Sequence, residues 1–272
     1  MLETRKKDIR KKTDQIRRNM RISNCGIMNL FKECEALELK VIRYPLGESA
    51  DLGFAMRKDG DIIIYTNSSV RLSREIFTLA HEIGHAMLHL DELNSFIDNG
   101  STLSDYNTDE KEQEANYFAA CLLMPEDEIR RFLDLELVEE SQNGLKAIDI
   151  AKIMSEFSVS FEMVLNRLES VKIIDSVEKA QLDNEKNETR VKNLLRSAGG
   201  NAALNEPSKV LDIPYEYIEY VIYNYNHGAI PKETLEKALE CYKLTIDDIN
   251  DKLKEPVDDN TDLDDLIGGL ED

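Results

Sequence analysis

The chain has 272 residues, with 54 acidic against 34 basic side chains and a net charge of −20. That charge repels phosphate, so broad contact with a nucleic-acid backbone is excluded, and basic or apolar partners suit the surface better. The length allows one sizeable core, or a core with a smaller module beside it.

Elements can be assigned in chain order. Residues 2–23 are charge-dense and mostly basic, with Ile9, Ile16 and Met20 as a thin apolar stripe. They predict a helix, lying on the body or serving as a basic docking arm; residues 1–24 are set apart as this N-terminal helix. "IMNLFKECEALEL" has helical spacing. "KVIRYPL", "LGFAMRK" and "DIIIYTN" are β-rich runs, the last two separated by the turn pair Asp59-Gly60, and together they predict a small, mainly antiparallel sheet. Ser73 is a plausible N-cap for a helix running to about Leu90. A polar loop, Asp91 to Thr108, leads to a helix over "DEKEQEANYFAACLL", whose acidic first turn favours initiation and which ends before Pro125. Helices are expected at about 126–136, 146–156 and 160–170. Residues 175–206, polar and then rich in small side chains, read as a linker. A compact helical segment follows at 207–253, and the acidic end, 254–272, reads as disordered.

The N-terminus "MLETRKKDIRKK" lacks the apolar core of a signal peptide, and no stretch reaches the length of a membrane span. Cys25, Cys34, Cys121 and Cys241 are scattered and form no Cys-x-x-Cys pair, so they read as reduced thiols. A cytoplasmic protein is expected.

The chemistry concentrates in "TLAHEIGHAMLH", which holds three of the four histidines. On a helix, His81 and His85 are four residues apart and project from one face. That spacing lets two imidazole nitrogens reach one ion at about 2.0–2.1 Å. Glu82 is rotated by about 100° from His81, so it can sit beside the ion and face a bound water without being a ligand. This is the His-Glu-x-x-His arrangement, with two zinc ligands and a general base. Its helix is apolar nearly all round, and burying two unbonded imidazoles would cost free energy that a metal removes. A catalytic ion also needs a third protein ligand. In "EQEANYFAA", Glu112 and Asn116 are four apart, so a ligating carboxylate would share its face with an amide able to orient a histidine. Glu114 points elsewhere on that helix and reads as a solvated charge. His89 reads as polar surface or loop-bonding, His227 as exposed, and Tyr106 as a surface or packing tyrosine that could instead supply an oxyanion donor.

"RKDGDIIIYTNSS", "REIFTLAHEIGHAMLH" and "EQEANYFAACLLMP", in this order and spacing, resemble the ImmA/IrrE family of zinc metallopeptidases over roughly residues 25–174. The resemblance implies an α+β, zincin-like domain with one Zn2+ ion, and it places the third ligand on Glu112. It also implies a job: proteolysis of a helix-turn-helix repressor of a mobile element or stress regulon, by an intracellular endopeptidase. A non-proteolytic anti-repressor that sequesters a DNA-binding protein is the alternative. The all-α module at 207–253 loosely resembles a Cro/C1-type helix-turn-helix, but "YEYIEYVIYNYN" carries tyrosines and glutamates where DNA contact needs cations. Direct DNA binding is therefore not expected. The alternatives are a small bundle packing its own core, or a module that docks a protein.

Overall fold

The computed structural model describes residues 1–58, 60–90, 95–98, 110–188 and 190–254. Tyr106 and the acidic end 255–272 lie outside the described residues. The chain divides into two compact units, Met1–Asp212 and Ile213–Asp272.

The first unit is mixed α+β. The β-rich runs form β1 (Leu39–Tyr44), β2 (Gly53–Lys58) and β3 (Asp61–Asn67), and β4 (Ser95–Asp98) adds an edge from the stretch expected to be wholly loop. The sheet order is β1-β3-β2-β4. The expectation of an antiparallel sheet holds only in part. β2 is antiparallel to both β3 and β4, but β1 runs parallel to β3. The reason lies in the two connections. Gly60, with φ +93°, turns β2 tightly into β3. The longer loop from β1 to β2 instead passes over the end of β3, where the buried Asn67 side chain donates to the carbonyls of Gly47 (2.8 Å) and Asp51 (3.2 Å). β3 therefore slots between its predecessors.

Against this sheet packs α3 (Leu72–Leu88), with Leu79, Ala80 and Ile83 wholly buried. Ser73 is not its N-cap; it lies inside the first turn, and Arg71 occupies the cap position without a side-chain bond. One of the orphan amides of that turn is satisfied from far along the chain, since Leu72 N donates to Glu206 O at 2.8 Å. The same incoming segment pairs Arg43 with Asp212 through both backbone bonds, at 2.8 and 2.9 Å. A buried ion pair sits beneath it. Arg43 grips the wholly buried Glu75 with two bonds of 2.8 Å, and Ser208 Oγ adds a third contact at 2.9 Å.

Further helices complete this core. They are α1 (Glu3–Arg17), α2 (Leu30–Ala36), α4 (Glu110–Leu123), α5 (Glu126–Glu136), α6 (Val138–Asn143), α7 (Ala147–Phe157) and α8 (Phe161–Ser170). The basic stretch is no free arm: α1 buries Ile9, Thr13 and Ile16, and Lys12 donates to the Met87 carbonyl of α3. Arg17, itself buried, donates at 2.7 Å each to the carbonyls of Leu122 and Cys25. With Arg167 on Met124 O at 2.9 Å, it satisfies the C-terminal end of α4.

Residues 175–206 are not a linker. They form α9 (Ser176–Glu188), α10 (Val191–Ser197) and a 3-10 turn at Ala202–Asn205, and Leu182, Leu194, Leu195 and Leu204 join the main core. The small residues serve contact rather than freedom, because a Cβ on Gly200 would stand 2.9 Å from the Ser155 side chain of α7. Residues 207–212 also belong to the first unit, so the second begins at Ile213 and not at 207.

In the second unit, α11 (Glu216–Asn226) and α12 (Lys232–Cys241) pack with a 3-10 turn at Asp247–Lys252 around Ile218, Val221, Ile222, Leu235, Leu239 and Ile249. Among the described residues no helix is long and apolar enough to cross a membrane.

Candidate metal centre

Two helices build the site. In α3 the apolar residues that face the sheet alternate by turns with His81, His85 and His89, which therefore stack along one side. α4 runs the opposite way, so Asn116 meets His81 and Glu112 meets His85. Gly84 permits this: a Cβ there would stand 3.1 Å from Ala115 Cα and 3.2 Å from Ala115 O. The two backbones thus touch where the ligands must converge.

His81, His85 and Glu112 are all buried, and each offers an atom within 4.8 Å of the others. His81 Nε2 lies 2.9 Å from His85 Nε2, 3.2 Å from Glu112 Oε2, and the second imidazole stands 3.2 Å from Glu112 Oε1. Donor atoms around a tetrahedral ion at ordinary zinc distances are about 3.3 Å apart, so the spacing fits a small cation. The donor chemistry agrees. Asn116 Oδ1 stands 2.9 Å from His81 Nδ1 and can only accept, which puts the His81 proton on Nδ1 and leaves Nε2 as a lone pair. A lone pair and two carboxylate oxygens thus point at one place, and a cation satisfies them.

Charge states match that role. Burial pushes His85 below its ordinary value, favouring the neutral ring that a metal ligand must be. Glu82 is wholly buried and lies against the start of β2, where a Cβ on Gly53 would be in ordinary contact with Glu82 Cγ at 3.4 Å but would clash with Thr78 Cγ2 at 2.6 Å.

Two sequence readings are corrected here. His89 is not a surface residue and Glu114 is not a solvated charge; both are buried. His89 Nδ1 lies 3.1 Å from His85 Nδ1, its Nε2 lies 3.1 Å from Glu114 Oε2, and Arg5 of α1 holds the two Glu114 oxygens at 2.7 and 2.5 Å. Arg5 holds the Glu114 carboxyl below its usual value, and burial does the same to His89. The i, i+4, i+8 spacing of the three histidines was visible in sequence and could have flagged His89; nothing local could have flagged Arg5. His227 is exposed and belongs to the second unit, where it stacks on Tyr223 at 3.9 Å.

Residues 34–169 match the profile of the IrrE N-terminal-like domain, Peptidase_M78, which is half of the chain. The chain belongs to this family. No curated protein matches it. Membership of Peptidase_M78 fits a metallopeptidase-like protein or an IrrE-type regulator, and the buried His81, His85 and Glu112 could hold the metal ion such a peptidase needs. The matched region begins inside α2 and ends in α8, so α1, with Arg5, lies outside it. A groove of about 1900 Å³ is lined by residues of several helices, among them Arg10 of α1, Phe77 of α3, Asn116 of α4 and Asn166 of α8; its lining includes Asn116 but none of His81, Glu82, His85 and Glu112.

Proposed function

We propose that this protein is a zinc-dependent endopeptidase that cuts a regulatory protein, namely a helix-turn-helix repressor of a mobile element or stress regulon. The observation that carries the proposal is the convergence of His81, His85 and Glu112, three buried donors at ligand spacing, with a wholly buried Glu82 on the adjoining helical position. His81, His85 and Glu112 would hold one Zn2+; two neutral nitrogens and a carboxylate suit that ion among divalent metals. When bound, zinc supplies Lewis acidity that polarises a peptide carbonyl and brings the pKa of water toward about 7. Glu82 is the general base: its carboxylate takes the proton of the attacking water and returns it to the departing amine nitrogen. Asn116 Oδ1 keeps the His81 ring in the tautomer that leaves Nε2 unprotonated.

The second unit supports a regulatory-protein substrate. Between Ile213 and Asp272 the sequence carries 16 acidic and 5 basic side chains and six of the ten tyrosines. On α11, Tyr217, Tyr220 and Tyr223 remain 44%, 61% and 62% exposed, opposite the buried Ile218, Val221 and Ile222. Exposed tyrosines beside Glu219 suit an Arg- or Lys-rich surface, through ring stacking and charge, and the DNA-reading face of a repressor is such a surface. The same face favours a second reading, an anti-repressor that binds its target without cutting it.

One experiment separates the two. Purified protein with Zn2+ is incubated with helix-turn-helix repressors of the same genome, and products are sized by mass spectrometry. A discrete fragment that disappears in a Glu82→Gln variant with retained zinc supports the peptidase. Derepression that survives Glu82→Gln points to sequestration.

A further inference from the structure

We infer that Arg5, Glu114 and His89 are positioning residues that fix the tautomer and direction of the His85 ring, which makes the N-terminal helix a working part of the metal centre. The inference takes the metal reading of the site as given, and it holds whether or not a peptide is cut.

Donors and acceptors alternate along a chain of side chains from Arg5 to His85. A guanidinium has N–H donors and no acceptor. Arg5 presents Nε and a terminal nitrogen to both oxygens of Glu114, at 2.7 and 2.5 Å, so that carboxylate is ionised and can only accept. His89 Nε2, 3.1 Å from Glu114 Oε2, therefore carries a proton. A neutral imidazole has one N–H, so a neutral His89 ring that donates from Nε2 to Glu114 keeps a lone pair on Nδ1. Its Nδ1 is then an acceptor, so the proton shared across the 3.1 Å contact with His85 Nδ1 belongs to His85. His85 is left with a lone pair on Nε2, the atom that faces His81 Nε2 at 2.9 Å and Glu112 Oε1 at 3.2 Å.

Both histidine ligands are thus oriented from behind, by different means. An amide on α4 holds His81. A relay of three side chains holds His85, and the relay ends on a helix outside the region shared with the family. The relay is well supported: Glu114 and His89 are buried, and α1 is pinned by Ile9, Ile16 and Arg17. Without the Glu114 carboxylate, His89 Nε2–H loses the charged acceptor that favours this tautomer. The ring can then donate from Nδ1 and force the His85 proton onto Nε2, where a cation should sit.

Two measurements on the full-length chain test this. Histidine 15N–1H correlation spectra of metal-free protein at pH 8 report the tautomer of each ring, and competition with a chromophoric chelator reports zinc affinity. Wild type is expected to show His85 protonated on Nδ1 and His89 on Nε2. Glu114→Gln is expected to shift His85 toward the Nε2–H form and to weaken zinc binding by about ten- to hundred-fold, the range for loss of a partner behind a ligand. Arg5→Ala should move both readouts the same way, with partial recovery in Arg5→Lys. His85 in its wild-type tautomer in both Glu114→Gln and Arg5→Ala, with zinc affinity within about twofold, would overturn the inference. Should Arg5→Ala fail to fold, Glu114→Gln and Arg5→Lys decide alone. A wild type that takes up no zinc would instead sink the metal reading, while the spectra would still report on the relay.

Discussion

Substituting Gly53 by alanine places a methyl group where β2, β3 and α3 meet. Its Cβ would stand 2.6 Å from Thr78 Cγ2, 2.8 Å from Tyr65 O and 3.4 Å from Glu82 Cγ. Ordinary carbon contacts are about 3.5–4.0 Å, so α3 must move off the sheet by most of an ångström, because Thr78 is wholly buried and Tyr65 O lies in the central strand. Overpacking of this kind costs about 1–3 kcal/mol, against a gain of about 0.4–1 kcal/mol from a stiffer unfolded chain. Strain wins, and the net loss is about 1–2 kcal/mol. For a unit of this size that lowers the melting temperature by about 2–8 °C. Glu82 is one helical turn beyond Thr78 on the face being pushed, and a 1 Å misplacement of a reacting group can cost about a hundredfold in rate. His81 and His85 lie within about 60° of Thr78 around the same helix, so the push reaches the ligand face as well. Gly53→Ala should therefore lower repressor cleavage by about ten- to hundred-fold per mole of zinc retained, the zinc content being measured by elemental analysis. A variant with wild-type melting and wild-type cleavage would refute the idea that this empty position seats the general base.

Three further outcomes are expected. Arg43→Ala leaves the Glu75 charge buried with only hydroxyl partners, and should cost about 3–5 kcal/mol in urea unfolding; a loss under 1 kcal/mol would show that water reaches Glu75. Glu112→Gln, or exhaustive chelation of the wild type, should abolish cleavage, and zinc should restore only the chelated wild type. The third concerns acid. Burial opposes the Glu156 charge, yet the amides of Cys25 and Gly26 and the Ser23 hydroxyl outweigh it and hold the carboxyl below its ordinary value. A depressed pKa gives stability that is complete above the ordinary carboxylate range and is lost as pH falls through the lowered value. The stability gap between wild type and Glu156→Gln should be widest near pH 7 and close below about pH 4; a gap independent of pH would count against it.

What was legible in the sequence follows from periodicity. His81, Glu82 and His85 are neighbours on one helix, and Glu112 and Asn116 on another, so local geometry alone placed each pair on one face. The apolar surround of α3 announced burial, and burial made the histidines informative. Where spacing failed, the reason was distance along the chain. The two-residue turn at Gly60 could be seen, but the passage of the 45–52 loop over Asn67 depends on which edge of β3 was vacant. Residues 175–206 read as a linker because their leucines are sparse; the core that receives Leu182, Leu194, Leu195 and Leu204 is supplied by other helices.

The sequence by itself therefore determined a helix able to offer two imidazoles and a carboxylate, with a second helix able to add another acid. The sequence reading favoured Glu112 as that acid, and the structure places it with the two imidazoles; only the tertiary structure decided that Glu114 is buried against His89 and Arg5. The spacing of Glu112 and Asn116 pointed to the ligand, but local spacing does not specify what packs against the far face of that helix. The backbone contact at Gly84 does, because it sets which face of α4 meets the histidines and leaves the other to the N-terminal helix.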